Sequence, residues 1–307
     1  MSDATGFALV HHPDYVAPLP PGHSFPMDKY GLTMTALAEL GADFEVHVPE
    51  PVPLDWLRAV HDPAYVAAVF AGMLDPVVER RIGFPVTPRI AVRARLVSGG
   101  TWLASLLALE RGFAVNSAGG SHHAGPTGGA GYCVFNDLGI AGARLLAEGR
   151  IERLLIVDLD VHQGDGTAAI FAGEPRAVTF SMHAAKNFPV RKAISTRDVA
   201  LPDGTDDDDY LRILADELPR LLDAHRPDLV LYQAGVDPHV DDRLGRLALS
   251  DTGLEARDAY VVTQCRARGI AVAATLGGGY GADRMAVSRR HARSIVTMAK
   301  VSVKTTV

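Results

Sequence analysis

Several stretches of this chain are apolar at every position, among them LLIV at Leu154–Val157, LVLY at Leu229–Tyr232 and IAVAA at Ile270–Ala274. A strand that shows one face to water alternates apolar and polar residues, so a strand without alternation is covered on both faces. Helices must then lie above and below the sheet, and parallel strands joined by crossover helices provide them. The rest of the chain fits this demand. Strands are expected at Asp43–Val48, Phe113–Asn116, Leu154–Asp160, Ala177–Ser181, Asp228–Gln233 and Ile270–Leu276. Helices are expected at Met27–Leu40, Arg89–Glu110, Asp137–Glu148, Asp206–Ala224, Gly253–Arg268 and Asp283–Ala299. The predicted fold is a three-layer α/β/α arrangement with a central, mostly parallel sheet.

Composition narrows the partners. The 307 residues are 48% hydrophobic and 21% charged, ordinary for a globular chain with a sizeable core. A net charge of −6 and the lack of any arginine-rich run argue against nucleic acid as the main partner. Two cysteines, Cys133 and Cys265, cannot build a disulfide framework or a thiolate zinc site. No signal pattern opens the sequence and no apolar run approaches the length of a membrane span, so the expectation is a cytoplasmic protein with no membrane partner. Length alone permits two domains or one large α/β domain, but no linker, repeat or low-complexity tract interrupts the chain, and 1–307 is expected to be one domain. The acidic run Asp206–Asp209 suits the first turn of a helix better than a metal site.

Open parallel sheets bind ligands at the carboxyl ends of their strands, and the unusual residues collect there. The segment LLIVDLDVHQGDG puts Asp158, Asp160 and His162 on alternate positions, which share one face if the extended conformation persists. Buried polar groups converging in this way need something to neutralise them, and a divalent cation would do so. Asp237, at the end of DLVLYQAGVD, adds a carboxylate from another strand end. The alternative for each aspartate alone is a turn former or strand-end cap. A glycine-rich loop, Ala118–Asn136, carries adjacent His122 and His123, suited to acid–base work near neutral pH. The doublet His11–His12 lacks such a loop and reads as structural. LGGGYG at Leu276–Gly281 suggests a flexible loop that swings the Tyr280 phenol over the crevice, where it could donate to a developing oxyanion.

Taken together, GSHHAGPTGGAGYCVFND, VDLDVHQGDG, the AGVD strand end and LGGGYG resemble the histone deacetylase family, of the arginase–deacetylase fold. PLPPGHSFPMDKY and SMHAAKNFP look most like the short bacterial class IV-type members. The resemblance implies a deacetylase that binds zinc through Asp160, His162 and Asp237, and iron(II) also suits such a donor set. It implies that Asp158 stands behind His122 and that Asp165 orients His123. It also implies a structural potassium ion near the Asp158 carbonyl, Ser181 and Met182. His123 would take a proton from the attacking water, Tyr280 would polarise the substrate carbonyl, and the histidine pair would protonate the departing amine. Gly131, Tyr132 and Phe188 match the walls of an acyl-lysine tunnel, with Leu244 at its rim. Tyr132 stands where larger relatives more often have phenylalanine, and His239 departs from the small residues usual in its segment, which bears on tunnel shape.

Acyl-lysine in a protein is the expected substrate, and a small acylated polyamine is the alternative, since both reactions use this residue set. A non-catalytic relative would lack a ligand, a base or the tyrosine, and none is missing. Arginase-like chemistry would require two metals and further aspartates in place of the histidine pair. The sequence leaves acyl length and oligomeric state open.

Overall fold

The computed structural model describes residues 6–303. Among them eight strands form one sheet: β1 (Phe7–Val10), β2 (Phe44–His47), β3 (Phe113–Asn116), β4 (Leu154–Asp158), β5 (Ala177–Ala184), β6 (Arg197–Leu201), β7 (Leu229–Gln233) and β8 (Ala271–Thr275). Their spatial order is β2-β1-β3-β8-β7-β4-β5-β6. Every pairing is parallel, so the sheet is wholly rather than mostly so.

The two-sided burial expected of the apolar runs is visible residue by residue. Leu154 and Ile156 of β4 enter the core on one face, while Leu155 and Val157 enter the core on the other. In β7, Leu229 and Leu231 share the first core, and Val230 and Tyr232 the second. Burying a side chain of this size stabilises the fold by about 1.5–3 kcal/mol, so the alternation of faces is strongly enforced.

Among the described residues ten α-helices accompany the strands: α1 (Lys29–Glu39), α2 (Leu54–Arg58), α3 (Pro63–Ala71), α4 (Pro76–Ile82), α5 (Pro88–Arg111), α6 (Asp137–Ala147), α7 (Asp165–Phe171), α8 (Asp207–His225), α9 (Asp251–Arg266) and α10 (Arg284–Val303). The run Asp206–Asp209 does open a helix, with the Asp206 side chain accepting from the Asp209 amide.

Several elements depart from expectation. The strand predicted over Leu154–Asp160 ends at Asp158, because the Asp158 carboxylate accepts from the Asp160 amide and turns the chain out of the sheet. β6 was not expected: as an edge strand it is only partly covered, and RDVAL opens on two charged residues, with Leu201 alone fully buried. Helices α2, α3, α4 and α7 were also unassigned. For α3 and α4 a local signal exists, since each opens on Asp-Pro, with the aspartate capping and the proline at the first helical position, and closes on a left-handed glycine.

The order of the central strands positions the site. β7 and β8, last in the chain, insert between β3 and β4. Four adjacent carboxyl ends therefore lead into the His122–His123 loop, Tyr280, Asp237 and the Asp158–His162 segment.

Candidate active site

Beyond β4 the chain is shaped by its own carboxylates. The Asp160 amide donates to Asp158 Oδ1 (3.2 Å), and the His162 amide donates to Asp160 Oδ1 (3.0 Å). The three residues thus do not share a strand face as the alternation suggested. Asp158 turns to His122, while Asp160 and His162 turn to Asp237. Nδ1 of His162 lies 3.0 Å from Asp160 Oδ1 and 3.1 Å from Asp237 Oδ2. One ligand atom from each of Asp160, His162 and Asp237 lies within 4.8 Å of the others, and all three residues are buried.

Two observations bear on whether a cation fits. First, the carboxylates oppose each other: burial and the nearby Asp160 charge push Asp237 up, while His122 and His162 hold Asp160 well below the usual range against the penalty of burial. A cation between them relieves that repulsion. Second, the backbone leaves room only for glycine. A Cβ on Gly278 would stand 1.9 Å from Asp237 Oδ2 and 2.6 Å from Asp160 Oδ2. An Asp-His-Asp cluster packed against bare backbone, the three donor groups found together among the described residues, fits a divalent cation with an open coordination position.

The histidine pair forms two separate dyads. His122 Nδ1 lies 2.7 Å from Asp158 Oδ2, and His123 Nδ1 lies 2.6 Å from Asp165 Oδ1. The ring centroids are 4.1 Å apart, yet the environments differ. Burial would lower His122, but Asp158 and Asp160 overcome it and hold it at about 9. Burial and the neighbouring His122 charge bring His123 down to about 4, against the pull of Asp165. At neutral pH one ring is therefore charged and the other is not. The loop beneath them is clamped by Asp137, which accepts from the Gly120 and Ser121 amides and from the Thr101 hydroxyl.

The Gly277–Gly279 segment is pinned rather than free to swing, which corrects the flexible-loop expectation. Gly277 N donates to Gly119 O (3.3 Å) and Gly278 N to Asp160 Oδ2 (2.8 Å). The Tyr280 amide donates to Asp242 Oδ2 (2.6 Å), and Arg243 N donates back to Tyr280 O. Here the glycines serve close approach. Burial, followed by the Asp160 and Asp237 charges, pushes the Tyr280 phenol well up, so it keeps its proton and can donate.

A cavity of about 240 Å³ leads to these groups. It is lined by Gly131, Tyr132, Phe188, Leu244, His123, His162 and Tyr280, with Arg81, Ile82 and Gly83 from the end of α4. Gly131 has φ +52, and a Cβ there would lie 2.4 Å from His123 Cδ2. Tyr132 stacks on Phe84 with centroids 6.1 Å apart, while Phe188 meets His123 edge-on at 4.7 Å. His239 lies off this cavity: its Nδ1 accepts from Asp241 N and its Nε2 faces Asp251.

The sequence from residue 23 to 296 matches the histone deacetylase domain. The chain belongs to the histone deacetylase family. It is 49% identical over 288 residues to an uncharacterized protein of Picosynechococcus sp., covering 93% of this chain and 96% of that one. Over 270 residues it is 30% identical to histone deacetylase 2 of Arabidopsis thaliana, covering 84% of this chain and 70% of that protein. A probable deacetylase of Archaeoglobus fulgidus is 28% identical over 299 residues, 90% of this chain and 81% of its own. In fold it is similar to the crystal structure of the HDA15 HD domain, with a TM-score of 0.79 at 20% identity, covering 98% and 92% of the two chains.

Within this histone deacetylase-family chain, four polar residues at the site escaped sequence reasoning. Gln233 donates to Asp160 Oδ2 (3.0 Å) and accepts from Gly235 N (2.8 Å). Asn187 donates to Leu244 O (2.6 Å), tying together the two rims of the cavity. Asp137 and Asp242 hold the histidine loop and the Tyr280 loop, as described above. Only Gln233 carried a local signal, a polar residue ending an apolar strand. No helix among the described residues is long and apolar enough to cross a membrane.

Proposed function

We propose that this chain is a zinc-dependent hydrolase that removes acetyl or longer acyl groups from lysine side chains. One observation carries the reading: an Asp-His-Asp cluster, two histidine–aspartate dyads of which only one holds a charged ring, and a protonated phenol converge around one cavity and the smaller pocket beside it. Family membership supports amide hydrolysis, and the aromatic walls at Tyr132 and Phe188 suit a long apolar stem such as that of an acylated lysine.

Asp160, His162 and Asp237 would hold the cation, and iron(II) suits the same donors. Zinc bound there supplies a water of lowered pKa and a Lewis acid for the amide oxygen. The remaining work falls to the chain. His123 is neutral and its Nδ1–H is engaged by Asp165, which leaves the Nε2 lone pair to accept a proton from the attacking water. Tyr280 donates its hydroxyl to the carbonyl oxygen as negative charge builds there. His122, held as a cation by Asp158, stabilises that charge, and the histidine pair delivers to the departing amine the proton that His123 took from the water. A carboxylate and a free amine result. The proposal extends to a structural potassium ion near Asp158, Ser181 and Met182, supported by the register that sets Asp158 beside Ser181 on adjacent strands. It treats residues 1–307 as one catalytic domain in the cytoplasm, consistent with two free, buried cysteines.

The test is a side-by-side assay of the zinc-loaded chain on acetyl-lysine peptides, longer acyl-lysine peptides and acetylpolyamines. The expected result is the highest kcat/KM on an acyl-lysine peptide. A higher value on acetylpolyamines would overturn the substrate assignment.

A further inference from the structure

Among the described residues, Arg257 is the largest side chain to be fully buried. It lies on α9 and lines neither the cavity nor the Asp-His-Asp cluster. Its Nε donates to Asp258 Oδ1 at 2.8 Å. Asp258 accepts in addition from the Tyr232 hydroxyl (2.5 Å) on β7 and from the Ser294 hydroxyl on α10. The guanidinium is thus fixed in place from three elements.

What the other end of the guanidinium holds is specific. Nη1 donates to Gly235 O at 2.7 Å and to Leu159 O at 3.1 Å. The β4–β7 ladder closes at Asp158 and Gln233, so both carbonyls lie just past the last ladder pair. Leu159 immediately precedes Asp160, and Gly235 lies two residues before Asp237. One planar, rigid donor therefore joins the two backbones at the point where the sheet stops joining them. Fold stability alone gives little reason for this arrangement, because replacing a buried ion pair with apolar residues is often neutral or stabilising.

We propose that Arg257 is a positioning residue that sets the separation of the two strand ends, so that Asp160 and Asp237 face one ion. This rests on the metal reading above, and the test separates the two. Cobalt(II) is the probe, because zinc is spectroscopically silent. Its affinity for the full chain is measured by chelator competition, and its absorption spectrum reports the ligand geometry.

Wild type is expected to bind one cobalt(II), and Asp237→Ala none. Arg257→Lys, which keeps the charge but not the planar fork, is expected to bind about tenfold to a hundredfold more weakly with an altered spectrum. The double variant Arg257→Met/Asp258→Leu removes both charges. It is expected to melt near wild type in chelator yet to show the same loss of affinity. A role confined to stability would shift melting and leave the spectrum of the bound ion unchanged. A folded Arg257→Lys or double variant with wild-type affinity and spectrum overturns the proposal. Equal binding by wild type and Asp237→Ala overturns the metal reading, and the role of Arg257 with it.

Discussion

The Gly278 amide donates to Oδ2 of Asp160 across 2.8 Å, which anchors the loop ending in Tyr280 directly on an acid of the Asp-His-Asp cluster. The phenol and the acids are therefore placed relative to each other by fixed backbone contacts rather than by a mobile lid. If Tyr280 acts as an oxyanion donor, Tyr280→Phe keeps the ring and deletes only the hydroxyl. The expected fall in kcat is about a hundredfold to a thousandfold. KM, zinc content and melting temperature should change little. A fall of less than about tenfold, only ~1.4 kcal/mol of barrier, would reject the catalytic role.

The same contact leaves no space at Gly278. A methyl group there meets Asp237 Oδ2 at 1.9 Å, and both acids are held from other sides by Gln233 and by the Val161 amide. Gly278→Ala should destabilise the chain by about 1–3 kcal/mol, the usual range for overpacking. It should also weaken metal binding. Thermal melts with and without zinc check both effects, and an unchanged zinc-induced shift would count against the cradle.

Asp237 faces His162 from a separate strand end, so Asp237→Ala should abolish both zinc retention and turnover. Elemental analysis of the purified variant decides this. Full zinc content there would remove Asp237 from the ligand set.

The two histidines should separate in their kinetics. His123, neutral and paired with Asp165, is expected to lose most turnover on change to alanine while zinc stays bound. His122→Ala should be equal or milder, since its role is electrostatic and in proton return. Near-normal turnover in His123→Ala beside a dead His122→Ala would exchange the roles.

Residue order alone determined the layers of this fold. Leu154–Val157 and Leu229–Tyr232 contain no polar alternation, and such strands require cover on both faces whatever their neighbours are. The candidate groups were legible for a related reason: His122, His123, Asp160, His162, Asp237 and Tyr280 stand in glycine-rich or strand-end segments, where a buried polar residue needs a purpose. The edge strand β6 stayed hidden because partial cover demands no apolar run. Tertiary structure alone decided which groups meet. β7 and β8 insert between β3 and β4, which brings Asp237 and the Tyr280 loop between the histidine pair and the Asp160–His162 segment. Any of these short apolar strands could pair with any other by its backbone, so strand order is selected only when the whole set packs. The partners of Gln233, Asn187, Asp242 and Arg257 come from that same packing. A polar side chain shows in the sequence that it can donate or accept, but the atom it reaches lies on another element whose position only the folded chain defines.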